Sequence, residues 1–434
     1  MTTPERSNPL RAFGPRSWTS PGIVSIGRMP SRTVRASFDS VSDARRGRTP
    51  WTRSLDGTWK FAYLTSPLLV TANHIAPATR DESWPSITVP GTWQTQGYGK
   101  PHYTNVLYPF PEEPCEVPET DNPTGVYRTS FSIDSTWAAR RTILRIGGAD
   151  SVHHVFVNGS PVGMGKDTRL TSDYDITPFV EIGQNHLAIV VVKWSDATWL
   201  EDQDQWWLSG ITRSVELLSA PVVHVEQLEV DAGLAADLLT GTLTVSAHVR
   251  FTSAPERGWT VETGLERLDG RAVPITITGG DDWPPARHPK AVETKKVSVQ
   301  RMSVPIIDRR SWLHQAADMD DFAGHRVRFT ATVDGIDQWN AESPTRYALH
   351  AVLRSPTGEV VEVVRQLIGF RRVEIIDREL LINGRVVVIC GVNRHDHDER
   401  TGCVVSPETH RLDVLTMKRH NINAVRTSHY PPVP

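Results

Sequence analysis

His154-Val155-Phe156-Val157-Asn158-Gly159 is a β-branched and aromatic run closed by Asn-Gly, the dipeptide whose backbone freedom suits a two-residue hairpin turn. It reads as a strand that ends in a hairpin. Similar short apolar runs recur between turn signals on both sides of it: Trp59-Lys60-Phe61-Ala62-Tyr63, residues 127–133, residues 141–146 and residues 186–194. Their spacing is that of strands, not the 3.6-residue period of helices, so residues 51–220 are expected to form an all-β sandwich. Residues 221–371 alternate in the same way at 243–249 and 327–333, around a polar Pro-rich loop at 279–296, and predict a second, immunoglobulin-like sandwich. Residues 1–50, rich in Pro, Arg and Ser and including Arg45-Arg46-Gly47-Arg48, read as an extended arm with no core of its own.

Beyond residue 371 the pattern changes. Val386-Val387-Val388-Ile389-Cys390-Gly391-Val392 is continuously apolar, as in a strand of a parallel sheet covered on both faces. In Ser406-Pro407-Glu408-Thr409, Ser406 can cap a helix, Pro407 suits its first position, and Thr409 stands where a capping box would carry Glu. Leu412, Leu415 and Met417 line that helix, Lys418-Arg419-His420 brings positive charge to its last turn, and Ile422-Asn423-Ala424-Val425-Arg426 predicts the next strand. Residues 372–434 therefore read as one βαβ unit.

Composition narrows the partners. A 434-residue chain suggests about three domains, and 38 % hydrophobic with 22 % charged residues describes a folded protein. With a formal charge of −3 and no basic cluster dense enough to track phosphates, nucleic acid is not an expected partner. Apolar runs such as residues 187–192 fall far short of the roughly 20 residues that span a bilayer, and the first ten residues carry Pro, Glu, Arg and Asn where a signal peptide needs an apolar stretch. No membrane association is expected. Three widely spaced cysteines (Cys115, Cys390, Cys403) encode no disulfide framework, which favours the cytoplasm. The sequon Asn158-Gly159-Ser160 matters only in a secretory pathway. Ten of the 14 tryptophans precede residue 210, as half-buried core rings or as platforms for apolar sugar faces.

Three segments resemble the large bacterial β-galactosidases of glycoside hydrolase family 2: Gly391-Val392-Asn393-Arg394-His395-Asp396-His397; Asn423-Ala424-Val425-Arg426-Thr427-Ser428-His429-Tyr430-Pro431; and Trp194-Ser195-Asp196 running into Glu201-Asp202-Gln203-Asp204-Gln205-Trp206 with Ser209-Gly210-Ile211. Tyr103-Thr104-Asn105-Val106, Asn122-Pro123-Thr124-Gly125 and Gly369-Phe370-Arg371 fall in the family's order across residues 51–434. The resemblance implies an arm (1–50), a jelly-roll sugar-binding domain (51–220), an immunoglobulin-like domain (221–371) and the start of an incomplete (β/α)₈ TIM barrel (372–434). It also implies retaining hydrolysis of terminal β-D-galactosides, and a tetramer in the complete family enzyme.

For the site, the resemblance implies galactose contacts from Asn105, Asp204, His395 and His429, with a sodium ion on Asp204. A carboxylate there suits both sugar hydroxyls and a hard cation. By itself the acidic segment at 201–204 reads as a charged surface loop. Residues 393–397 read as a sugar-facing strand end, a solvated loop, or a metal site from His395, His397 and Asp398. Magnesium in the complete family enzyme has ligands mostly beyond Pro434, but a further site tied to the arm is implied near Asp196. There the sequence departs: Ser17 and Ser20 stand for acidic and amide ligands, and Lys166 for another amide. A Lys ammonium repels a divalent cation, which argues against that site.

Retaining glycosidases need two carboxyls about 5 to 5.5 Å apart, and in the family both lie on later barrel strands. Residues 372–434 number 63, against about 250 for a barrel. Asp396, Asp398 and Glu399 share one loop and cannot bracket a glycosidic bond. The nucleophile and acid/base are expected beyond Pro434, leaving no catalytic residue here and a chain inactive alone. The alternatives are a non-catalytic carbohydrate-binding or interaction protein, or the split subunit of a β-galactosidase.

Overall fold

The computed structural model describes residues 8–33, 36–105, 107–111, 116–201, 203–252, 256–282, 295–304 and 325–433; Cys115, Asp202 and residues 283–294 of the expected loop lie outside the described residues. The chain forms two compact units. One comprises Met1–Ser31, Arg53–Leu218 and Cys390–Pro434, the other Arg32–Thr52 and Ser219–Ile389.

The first unit is built on a seven-stranded antiparallel sheet in the order Ser25–Ile26, Ser160–Gly165, Val152–Val157, Gly183–Val192, Thr124–Ile133, Gly57–Leu64, Ser86–Val89. The expected hairpin is present: Val157 pairs with Ser160 across Asn158 and Gly159, both at positive φ (51° and 78°). Asn158 is fully employed within the fold. Its Oδ1 accepts the His186 N–H (2.9 Å) and its Nδ2 donates to Asn185 Oδ1 (2.8 Å). The central strand is buried on both faces, Leu187 to Val192 being at most 3 % exposed. Ala188, Val190 and Val192 pack with Val152 and Phe156, and the arm supplies Leu10, Phe13 and Trp18 to the same cluster. The arm has no core of its own, yet its three large side chains each contribute roughly 1.5–3 kcal/mol to the sandwich's. The tryptophans differ in burial: Trp59 and Trp93 are enclosed, whereas Trp206 is 44 % exposed.

The second unit is a sandwich of two five-stranded sheets. One runs His224–Leu234, Gly241–Arg250, His325–Val333, Ile275–Asp282, Lys295–Val297; the other runs Ala272–Val273, Thr260–Arg267, Tyr347–Arg354, Val360–Ile368, with Val299–Ser303 also paired to Thr260–Arg267. Val245, Phe329, Leu349 and Phe370 lie in the core between them. Part of the arm belongs here and is helical, which the sequence reading missed. Ser40 caps Val41–Arg46, Gly47 ends it at φ 62°, and Phe38 and Ala44 pack on Val352 and Val363.

Residues 373–386 form an element that the expected βαβ reading did not include. Val373–Ile376, Glu379–Ile382 and Arg385–Val386 form an antiparallel meander that belongs to the second unit. The reason is local. Asn383 and Gly384, both at positive φ, make a two-residue turn that pairs Ile382 with Arg385 and Leu381 with Val386, so Val386 is drawn back before a strand at 386–392 can form. The parallel strand starts later, at Gly391–Arg394, and pairs in parallel with Ala424–Thr427. Between them runs the helix Pro407–Arg419, with Ser406 Oγ accepting the Thr409 N–H (3.1 Å) and Lys418 and Arg419 in its last turn. The βαβ unit is thus as expected, displaced at its first strand, and it lies in the first unit.

Candidate functional site

Two antiparallel segments, His102–Thr104 and Gln205–Trp207, form a ribbon in which Tyr103 stands opposite Trp206. Trp207 Nε1 pins it by donating to Thr104 Oγ1 (2.6 Å). Tyr103 donates its hydroxyl to Asp204 Oδ1. That carboxylate holds the phenol above its usual range. Asn105 and Asp204 are the residues next to the last ribbon pair, Thr104 and Gln205, and both are exposed. The acidic segment divides in function: Glu201 turns inward and accepts the Thr168 N–H (3.0 Å) and hydroxyl, whereas Asp204 stays outside.

An open cleft of about 170 Å³, smaller than a usual ligand pocket, adjoins the ribbon. Gln205 and Trp206 line one side, Asp150, Arg169 and Glu201 the floor, and His429, Tyr430 and Pro431 the side contributed by the second barrel strand. Burial raises the Glu201 carboxyl and pushes Asp150 up to about 7, against the pull of Arg169. The parallel register sets Arg394 opposite Thr427, and the next turns bring His395 and His429 together edge to face, with ring centroids 5.9 Å apart and both imidazoles exposed. The structure brings His395 and His429 together, and His429 lines the cleft that Gln205 and Trp206 also line, while Asn105 and Asp204 flank the paired ribbon segments.

Arg169 and Arg213, which the sequence reading missed, hold this arrangement. The Arg169 guanidinium lies over the Tyr430 ring (4.4 Å). Arg213 donates to the carbonyls of Arg169 and of Pro431 (2.7 Å) and stands 4.0 Å from the buried Asp396. Asp396 is tied up by Arg394, and its N–H donates to the Tyr430 hydroxyl (3.1 Å). Asp398 accepts the N–H groups of Arg400 (2.8 Å) and Thr401 (3.1 Å) as a turn former, and these bonds hold its carboxyl below its usual range. Nothing local in the sequence marks Arg169 or Arg213, because their partners lie on segments far along the chain.

Among the described residues no three His, Cys, Asp or Glu side chains gather to hold a metal, so the set His395, His397 and Asp398 does not assemble. The arm residues do not fit magnesium either: Lys166 lies between Asp196 and the Ser20 carbonyl.

A mainly β sandwich joined to the first parallel strands of a barrel defines a modular architecture. Residues 52–221 match the model of glycosyl hydrolases family 2, sugar binding domain, and residues 373–434 that of its TIM barrel domain. The chain belongs to glycosyl hydrolases family 2. It is 35 % identical over 418 residues to a β-galactosidase of Pectobacterium atrosepticum and 36 % identical over 416 residues to one of Photobacterium profundum, matching 96 % of this chain and 37 % of either relative. It spans little more than a third of their length. A Bacteroides uniformis β-glucuronidase shares the fold at TM-score 0.61 and 22 % identity, over 88 % of this chain and 39 % of that one. A Bifidobacterium dentium β-glucuronidase complexed with coumarin-3-O-glucuronide does so at 0.64 and 18 %, over 89 % and 59 %. No helix among the described residues is long and apolar enough to cross a membrane.

Proposed function

We propose that this chain supplies the galactose-binding sandwich and the opening of the catalytic barrel of a β-galactosidase, which hydrolyses terminal β-D-galactosides with retention. The observation that carries this is the exposed Asp204, held by the Tyr103 hydroxyl between Gln203 and Gln205, which line the same cleft as His429. The β-galactosidases that the chain resembles support galactose as the sugar.

Each residue then has a task. Asp204 accepts hydrogen bonds from sugar hydroxyls, and the Tyr103 hydroxyl fixes its rotamer so that less side-chain freedom is lost on binding. Asn105 adds a neutral amide at the same ribbon end. His395 and His429 present two imidazoles to the galactose from the barrel side. Asp204 also keeps a second carboxylate oxygen that suits sodium, whose charge would draw sugar hydroxyls towards the site. Bond cleavage needs a nucleophile and an acid/base on further barrel strands.

The test is chromogenic β-galactoside turnover by the 434-residue chain with and without the remaining barrel of a relative added as a separate polypeptide. Turnover is expected only with the added polypeptide, and Asp204→Asn should abolish most of it. Turnover by the chain alone that disappears on mutating one of its own residues would overturn the proposal. Galactoside binding by the chain alone, with no turnover even when the barrel is supplied, would instead make it a carbohydrate-binding protein.

A further inference from the structure

Lys166 is 3 % exposed, and its ammonium has two partners drawn from different segments: the Asp196 carboxylate and the Ser20 carbonyl (2.9 Å) of the arm. Asp196 is nearly enclosed, with its side chain 10 % exposed. Around this pair the arm is closed by further bonds. Lys166 N–H donates to Val24 O (3.1 Å), Arg28 donates to Lys166 O (3.3 Å), and a hydrogen bond joins the buried Ser17 hydroxyl to His154 Nε2 (2.9 Å). His154 is kept neutral, burial pushing it down to about 3. One positive charge therefore answers one buried carboxylate at the seam between arm and sandwich.

We propose that the Lys166 ammonium is a built-in counter-cation that replaces the arm-linked magnesium ion the family resemblance implies, so that the arm docks without any metal. The chemistry of the donor set supports the replacement. Magnesium demands six oxygens in a tight octahedron, whereas the seam offers a carboxylate, a backbone carbonyl and an ammonium that donates to both. A divalent ion brought beside that ammonium would be repelled at short range in a medium of low dielectric. Ser17 also fits the substitution, because its hydroxyl is spent on His154. The arm's hold on the sandwich is then independent of metal supply.

The experiment is trypsin cleavage of the arm at the exposed Arg11 and Arg16, followed alongside the melting temperature of the purified chain in EDTA and in millimolar magnesium. Cleavage rate and melting temperature of the native chain should be the same in both media. Lys166→Met leaves Asp196 buried without a counter-charge, and cleavage should speed up about ten-fold or more as local opening becomes easier. Lys166→Arg keeps the charge and should restore much of the protection. Lys166→Gln should gain what the native chain lacks, namely slower cleavage in magnesium than in EDTA. Native protein whose arm loosens in EDTA or tightens in magnesium would overturn the proposal, and so would a Lys166→Met arm as resistant as the native one. The comparison of media on native protein needs no variant to fold.

Discussion

Strand Gly183–Val192 and the apolar run at 386–392 that leads into strand Gly391–Arg394 end in opposite surroundings. In the first, Leu187 to Val192 are enclosed by the arm's side chains and the neighbouring strands. Around the second, Val388, Ile389 and Val425 are 73 %, 63 % and 46 % exposed, and the helix Pro407–Arg419 buries none of its residues. Both regions have correct caps, turns and pairing. Local signals are thus enough to specify an element, while burial is decided by whatever packs on it, and nothing among the described residues covers the apolar faces of the βαβ unit.

The sharpest way to break this contrast is to remove one side chain from each region. Phe156→Ala should cost about 3–5 kcal/mol in denaturant unfolding, because it empties a site in the closed cluster, whereas Leu412→Ala, at a position 59 % exposed, should change stability by about 0.5 kcal/mol or less. Equal losses would show that the helix is covered in solution. Next in size is Arg213→Met, which removes one charge-assisted bond worth about 1.5–3 kcal/mol between the sandwich and the segment after the second parallel strand, along with one inside the sandwich. Amides of Gly391–Arg394 and Ala424–Thr427 should then exchange about ten-fold faster or more, with Thr124–Ile133 unchanged. Uniform acceleration across both regions would refute a local anchoring role.

Sugar binding offers a subtler comparison inside the sandwich. With the rest of the barrel supplied, Asp204→Ala should lose about 1.5–3 kcal/mol of transition-state stabilisation and Asn105→Ala about 1 kcal/mol, read from kcat/KM. Equal losses would deny the carboxylate its special part. A separate test concerns pH. Asp150 has a folded-state value pushed up from 3.8 to about 7, so the folded protein keeps a proton that the unfolded chain has lost, and its contribution to stability falls as pH rises through that window. The gap in melting temperature between Asp150→Asn and the native chain should widen in the mutant's favour from about pH 4 to about pH 7. A constant gap would mean that Asp150 ionises normally.

Much of this was legible because it is local. Asn158-Gly159 fixed a hairpin, and Ser406-Pro407 fixed a helix start, through short-range backbone chemistry. The displaced first barrel strand also had a local sign, Asn383-Gly384, whose turn pulls Val386 into the meander. What could not be read is the convergence of distant segments. Arg213 meets Pro431, Glu201 meets Thr168, and Ser40 starts a helix inside a stretch rich in Arg and Ser. Asn105 and Asp204 could be singled out only through the resemblance, since taken alone they are ordinary surface residues.

Arg213 grips Arg169 and Pro431 by their backbone carbonyls, not by their side chains. A donor that reads only main-chain oxygen is indifferent to which amino acid carries it. Either carbonyl-bearing position can therefore drift through evolution without loosening this clasp, whereas position 213 cannot, and a guanidinium should persist there after the residues it holds have changed.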